Sequence, residues 1–309
     1  MKAYDSLVIG GGPAGATAVL YLTRAGCSVA WAERISTGGQ LLLTETIDNY
    51  PGFPDGVRGW ELADKMLAHL GQYSFDSYQQ AVLAMKADAG RHGVTLENNE
   101  ELIAKTIIIC SGATHRKLGL PNEEKLVGRG ISYCALCDGN FFKNQDVAVV
   151  GGGNSALEES LYLAKLVRKL YLIHRRDAFR ADKIYQDKVF SLADTIEPVL
   201  NTVVTALHGG DALESIGLRN VQTQEERELR VDGLFVFVGS EPQGQFLPAG
   251  LARDAQGFVM TDVEMRTNLP GIYAAGDIRS KLCRQVATAV GDGATAAHAA
   301  SLYLEQIRA

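Results

Sequence analysis

Long basic runs are missing from this sequence, and aromatic and basic side chains nowhere interleave. The 36 Asp and Glu residues outnumber the 30 Lys and Arg residues, a net charge of −6, so the chain lacks the electrostatic footprint of a nucleic-acid binder. Cysteine is scarce: five in 309 residues, an odd number that does not suit a secreted disulfide scaffold. No targeting or membrane-spanning stretch is expected either, because the apolar run near the start breaks at Gly10-Gly11-Gly12-Pro13, short of the length a signal peptide or a span requires. The expectation is an ordinary soluble protein of the cytoplasm with one reactive cysteine pair, and a length of 309 residues favours two domains.

Glycine is plentiful, at 33 residues, and it recurs in one grammar. Ser6-Leu7-Val8-Ile9 reads as a buried strand and Gly10-Gly11-Gly12-Pro13-Ala14-Gly15 as a turn. A helix follows to about Arg24, then a strand from Cys27 to Ala32 that ends at Glu33. The same order returns 141 residues later: Val147 to Val150, the turn Gly151-Gly152-Gly153-Asn154-Ser155-Ala156, a helix through Leu163, and the strand Leu170 to Ile173. One Gly-x-Gly-x-x-Gly is weak evidence; two, each between strand and helix, are strong. The first glycine of such a turn permits the tight bend, the second lets backbone approach a pyrophosphate, and the third lets helix pack on strand. The helix N-terminus then offers N–H groups and partial positive charge to that pyrophosphate.

Gly271-Ile272-Tyr273-Ala274-Ala275-Gly276-Asp277 adds a strand and a turn with a carboxylate at its tip, and an Ala-rich helix is expected from about Asp292 to Ile307. The expected fold is α/β, with two Rossmann-like dinucleotide-binding domains. The second, 117–243, is inserted into the first, 1–116 and 244–309, with hinges near Pro121 and at Gly239-Ser240-Glu241-Pro242.

The residue ending the second strand of such a unit meets the adenosine ribose, where a carboxylate accepts from a free 2′-hydroxyl and repels a 2′-phosphate. It is Glu33 in the first unit, 23 places after Gly10; in the second, 23 places after Gly151, it is His174, followed by Arg175, Arg176 and, further on, Arg180. Arginine forks match phosphate geometry. The contrast assigns FAD to the first site and NADPH to the second, although such arginines are elsewhere often a solvated charge run.

Cys134-Ala135-Leu136-Cys137, followed by Asp138, can close a small reactive disulfide. A zinc site would need four ligands, and neither a second Cys-x-x-Cys nor a paired His-x-x-x-His exists, so no metal is expected. A dithiol beside two dinucleotide sites suits hydride transfer from nicotinamide to flavin and then electrons from flavin to disulfide. Asp138 is a candidate proton donor to the leaving thiolate, or else a turn carboxylate capping the next helix. Cys27 and Cys110 read as small buried apolar residues, and Cys283 as packed under the final helix.

Over nearly its whole length the chain resembles the bacterial-type, low-molecular-weight thioredoxin reductases. Beyond the two glycine turns the matching segments are Gly38-Gly39-Gln40-Leu41, Asn49-Tyr50-Pro51-Gly52, Cys134 to Gly139, His174 to Arg180 and Arg284-Gln285-Val286. The resemblance implies that Gln40 and Asn49 approach the flavin ring, Asp277 the ribityl chain, and Arg284, Gln285 and Val286 the isoalloxazine edge. Gly10, Gly12, Gly15 and Glu33 complete the FAD site. Gly151, Gly153, Ala156, His174, Arg175, Arg176 and Arg180 contact NADPH. Cys137 is the thiol nearest the flavin, Cys134 the one that attacks the partner disulfide, and Asp138 the acid/base. Arg129, Phe141 and Phe142 fall near the thioredoxin-docking surface. A homodimer is implied, as is rotation of the inserted domain between half-reactions. Related activities on the same scaffold take electrons from ferredoxin or pass them to oxygen, and a non-enzymatic redox sensor is a more distant possibility.

Overall fold

In the computed structural model, which describes every residue except Met1, Glu45, Asp48, Ala89 and Ala309, the chain folds as two α/β units. Residues 1–114 and 241–309 form one, and residues 115–240, inserted between them, form the other. The crossings fall two or three residues earlier than glycine and proline punctuation places them, because backbone pairing decides membership. Gln243 N–H bonds to Gly112 O and the Gln243 side chain to Thr114 Oγ1 in the first unit, while Arg116 N–H bonds to Gly239 O in the second.

The first unit is built on a sheet whose strands run in the order Asp76–Tyr78, Val29–Ala32, Lys2–Ile9, Glu101–Ile109, His92–Leu96, Val82–Lys86. Glu101–Ile109 is shared: its first residues pair antiparallel with His92–Leu96, and its last, Ile107 to Ile109, pair parallel with Ile272–Ala274. Side chains alternate across such a strand. Leu7, Ile9, Ile107 and Ile109 pack on one face with Met85, Val94 and Leu251, whereas Val8 and Ile108 pack on the other against the helix Pro13–Arg24 and the long C-terminal helix. Burial on both faces explains the near-continuous apolar runs.

That long helix spans Val286–Arg308, six residues earlier than the Ala-rich stretch suggested. Gly291 and Gly293 lie within this helix. In the fold, a Cβ at Gly293 would lie 2.3 Å from Ala14 O, so glycine there lets the helix rest on Pro13–Arg24.

The inserted unit carries a parallel sheet in the order Ile131–Ser132, Gly233–Phe237, Asp146–Gly151, Lys169–Ile173, Ile196–Val199. Val147, Val149, Phe235 and Leu170 face the helices Asn154–Leu163 and Lys183–Ser191; Ala148, Leu234, Val236 and Ile173 face a three-stranded antiparallel sheet through Leu207, Ile216 and Leu218. Among the described residues no helix is long and apolar enough to cross a membrane.

Candidate functional site

Parallel register collects the candidate residues of the first unit at one sheet edge. Ile9 lies opposite Ala32 and Ile109, and Ile109 opposite Ala274. The residues just beyond, Gly10, Glu33 and Ala275-Gly276-Asp277, therefore emerge together at the carboxyl ends of the strands, where open α/β sheets bind ligands.

The glycines of the first turn serve different ends. Gly10 has φ +112°, and a Cβ there would lie 2.2 Å from Cys110 O; a Cβ on Gly15 would lie 1.9 Å from Gly10 O. Both are glycine because the fold itself leaves no room. A Cβ on Gly12 would meet nothing within 4 Å, although Gly12 is the N-cap of the helix Pro13–Arg24 and no side chain caps its N–H groups. The protein has no internal need of a glycine at Gly12, which fits a pyrophosphate approaching that backbone from outside. Glu33 accepts the Gly11 N–H at 2.6 Å and the Ile35 N–H at 2.9 Å. The Gly38 N–H bonds to Gly11 O at 2.7 Å, which lays Gly38-Gly39-Gln40 along the turn.

Around Asp277 the unit gathers charge. Arg279 and Lys281 bind Asp292 at 2.9 and 3.0 Å, and Lys281 stands 3.7 Å from Asp277 Oδ1. Asp277 Oδ1 is buried with no hydrogen-bond partner among the described residues. Burial pushes the Asp277 carboxyl above its ordinary value, with Lys281 and Arg284 pulling the other way. A buried acceptor lacking a donor fits a ligand hydroxyl such as that of a ribityl chain. Asn49 Nδ2 donates to Gln285 Oε1 at 3.1 Å, Gln40 Nε2 to Ala113 O at 3.2 Å, and the Arg284 guanidinium lies 4.0 Å from the Phe258 ring centre. Val286 begins the long helix and packs with Leu41, Ile47 and Tyr50. Sequence reading missed Arg279, Lys281 and Asp292; an acidic residue within an Ala-rich stretch was the only signal.

The second turn repeats the first. A Cβ on Gly151 would lie 2.5 Å from Ala156 Cβ and 2.7 Å from Phe237 O, whereas one on Gly153, the uncapped N-cap of Asn154–Leu163, would meet nothing. At the place of Glu33 stands His174, whose ring blocks any Cβ on Gly152 at 2.3 Å. The expected positive charge of this cluster is not His174's. Its ring is 6% exposed and packs on Phe179, and burial first, then Arg180, Arg176 and Arg175, hold its pKa below the ordinary value. Arg175, Arg176 and Arg180 are exposed, and among the described residues no carboxylate pairs with them. The Arg180 N–H bonds to Gly152 O at 2.7 Å, which returns that residue to the turn.

Cys134 and Cys137 form a disulfide with Cα atoms 5.3 Å apart. It lies at the edge of the same sheet as the second turn, because Ser132 pairs with Phe235 and Phe235 with Val149. Cys134 and Gly151 thus each lie two residues beyond one row. The short helix Ala135–Asp138 packs on Asn154–Leu163 through Ala135, Ala156, Leu157 and Leu163. The Cys137 N–H points at Cys134 Sγ, 3.1 Å away. Glu159, on the packed helix, faces the backbone N–H groups of Ala135 and Leu136, and burial raises its pKa. Asp138 does not cap the next helical turn; its carboxylate takes the Ser132 hydroxyl at 2.6 Å. Ser132 and Glu159 left no signal in the sequence.

Cys110 is buried, which pushes its thiol up, and Cys27 is half-buried. Cys283 is exposed, not packed under the final helix, because it sits in the loop preceding Val286. Arg129 and Phe141 are exposed, but the Phe142 ring packs inward against Phe235 at 5.2 Å.

Residues 4–293 match the family model described as pyridine nucleotide-disulphide oxidoreductase. A thioredoxin reductase of Listeria innocua is 43% identical over 309 residues, 99% of this chain and 96% of its own length. The crystal structure of thioredoxin reductase from Streptococcus pyogenes is similar with a TM-score of 0.93 at 42% identity, covering 98% of this chain and 99% of that one. A Lactococcus lactis thioredoxin reductase described as an FR conformation has 41% identity and the same coverages but a TM-score of 0.68.

Proposed function

The chain belongs to the pyridine nucleotide-disulphide oxidoreductase family, and from that premise we propose that it is an NADPH-dependent thioredoxin-disulfide reductase. The observation that carries the reading is the Cys134–Cys137 disulfide at the sheet edge that also bears the second glycine turn. FAD, when bound, supplies the two-electron link between nicotinamide and disulfide.

The chain's own residues do the rest. Gly10, Gly12 and Gly15 shape the first turn so that uncapped N–H groups meet the pyrophosphate, and Glu33 accepts from the adenosine ribose. Asp277 accepts from the ribityl chain, and Gln40, Asn49, Arg284, Gln285 and Val286 border the flavin ring. Gly151, Gly153 and Ala156 do for NADPH what the first turn does for FAD. Arg175, Arg176 and Arg180 take the 2′-phosphate, with His174 as a neutral wall behind Gly152. Cys137 receives electrons, Cys134 attacks the disulfide of thioredoxin, and Asp138 gives and takes the proton. Arg129 and Phe141 lie on the docking surface. Residues 115–240 rotate between half-reactions, since a disulfide engaged with flavin cannot also face a protein substrate. The protein works in the cytoplasm as a homodimer.

A ferredoxin-dependent relative would leave the three exposed arginines without a role. The test is NADPH oxidation with thioredoxin as acceptor. Cys134→Ser and Cys137→Ser should each keep the flavin and lose thioredoxin-dependent turnover; turnover independent of both cysteines would contradict the reading.

A further inference from the structure

Ser132 ends the strand Ile131–Ser132 and is 4% exposed. Three hydrogen-bonding distances converge on its hydroxyl. The Cys134 N–H donates to Oγ at 3.1 Å. Asp138 Oδ2 lies 2.6 Å from Oγ, and the Cys134 carbonyl oxygen lies 3.2 Å from it. A hydroxyl has one proton and two lone pairs, so Ser132 cannot donate to both oxygens at once. The proton on Asp138 decides between them. While Asp138 is ionised, the Ser132 proton goes to Oδ2 in a charge-assisted bond. Once Asp138 is protonated, Oδ2–H donates to Ser132 Oγ and the Ser132 proton turns to the Cys134 carbonyl. Oγ accepts from the Cys134 N–H throughout, so every group of the set keeps a partner in both states.

Backbone N–H groups could not do this, since they only donate; a hydroxyl both donates and accepts, and so suits an acid that changes state.

We propose that Ser132 is a positioning residue for the proton-transfer step, a two-position hydroxyl that holds Asp138 beside the Cys134–Cys137 pair as Asp138 gains and loses its proton. This deepens the reading of Asp138 as the acid given under Proposed function and rests on it. Reduction breaks the S–S bond and takes up the two electrons that the reduced flavin supplies; two protons, one from Asp138 and one from solvent, leave two thiols. Asp138 gives one proton to the sulfur that leaves as thiolate, becomes ionised, and is reprotonated from solvent.

The test uses the flavin-loaded enzyme. Ser132→Ala should lower thioredoxin-dependent kcat roughly tenfold, the scale of one hydrogen bond to a charged group. The rate of flavin bleaching by NADPH and the KM for thioredoxin should stay within about twofold. Ser132→Thr, which keeps the hydroxyl, should restore most of the loss. In an Asp138→Asn background, Ser132→Ala should cost less than about twofold, because the state change it serves is gone. If Ser132→Ala loses its flavin, Ser132→Gly carries the same expectations. The proposal is overturned if the alanine variant turns over like wild type, if threonine fails to restore, or if the loss persists undiminished beside Asp138→Asn. Wild-type enzyme that neither bleaches with NADPH nor turns over thioredoxin would instead overturn the functional reading itself.

Discussion

Gly11 donates its backbone N–H to the Glu33 carboxylate at 2.6 Å. At the same place in the second unit, Gly152 faces the buried ring of His174. One turn is thus backed by a carboxylate and the other by a ring whose pKa is held low, and under the proposed function discrimination of a 2′-phosphate falls to the exposed arginines. Replacing Arg175 and Arg176 together by Gln should raise the KM for NADPH by roughly tenfold to a hundredfold and leave that for NADH nearly unchanged. Steady-state kinetics with both nucleotides measure this; equal losses for the two would remove the arginines from 2′-phosphate recognition.

The glycines separate folding from binding. Gly12→Ala and Gly153→Ala should leave thermal stability within about 0.5 kcal/mol, since a Cβ there meets nothing. The first should weaken flavin retention and the second NADPH affinity. Gly15→Ala should cost about 1–3 kcal/mol or more through overpacking, because its Cβ would lie 1.9 Å from Gly10 O. Unfolding curves of the flavin-free proteins, alongside flavin content, distinguish the two kinds.

Asp277 couples binding to stability through pH. Burial raises its folded-state pKa, so the folded chain holds that proton more tightly than the unfolded chain. The stability so contributed is fully present below the ordinary carboxyl value and is lost as pH rises through the raised one. Asp277→Asn should therefore make the flavin-free protein as stable as wild type or more so at neutral pH, with the difference vanishing in acid, while flavin binds more weakly. Thermal unfolding across pH, with and without added FAD, checks both; a variant less stable at neutral pH alone would contradict the sign.

A covalent crosslink that fixes residues 115–240 against the remainder of the chain should abolish thioredoxin-dependent turnover and leave bound flavin in place. Undiminished turnover in the crosslinked enzyme would rule out rotation.

What the sequence disclosed was local. Gly10 to Gly15, Gly151 to Ala156 and Cys134 to Asp138 each encode their geometry within six residues or fewer, so the two glycine turns and the disulfide were readable, and with them the α/β fold. What it hid was non-local or silent. Asn49 and Gln285 meet across 236 positions, and Asp292 reaches Arg279 and Lys281 from a stretch that reads only as Ala-rich helix. Ser132 carries no motif, and its importance comes from where a two-residue strand ends. The burial of His174 beside three exposed arginines, which holds its pKa below the ordinary value, also comes from packing that the sequence does not display.

The most direct test is anaerobic: add NADPH to the flavin-loaded protein, follow the flavin absorbance, then add oxidised thioredoxin. The account predicts rapid bleaching by NADPH, a much slower response to an equal amount of NADH, and restoration of the oxidised spectrum by thioredoxin. Flavin that neither nucleotide bleaches, or that bleaches and is not reoxidised by thioredoxin, would contradict it.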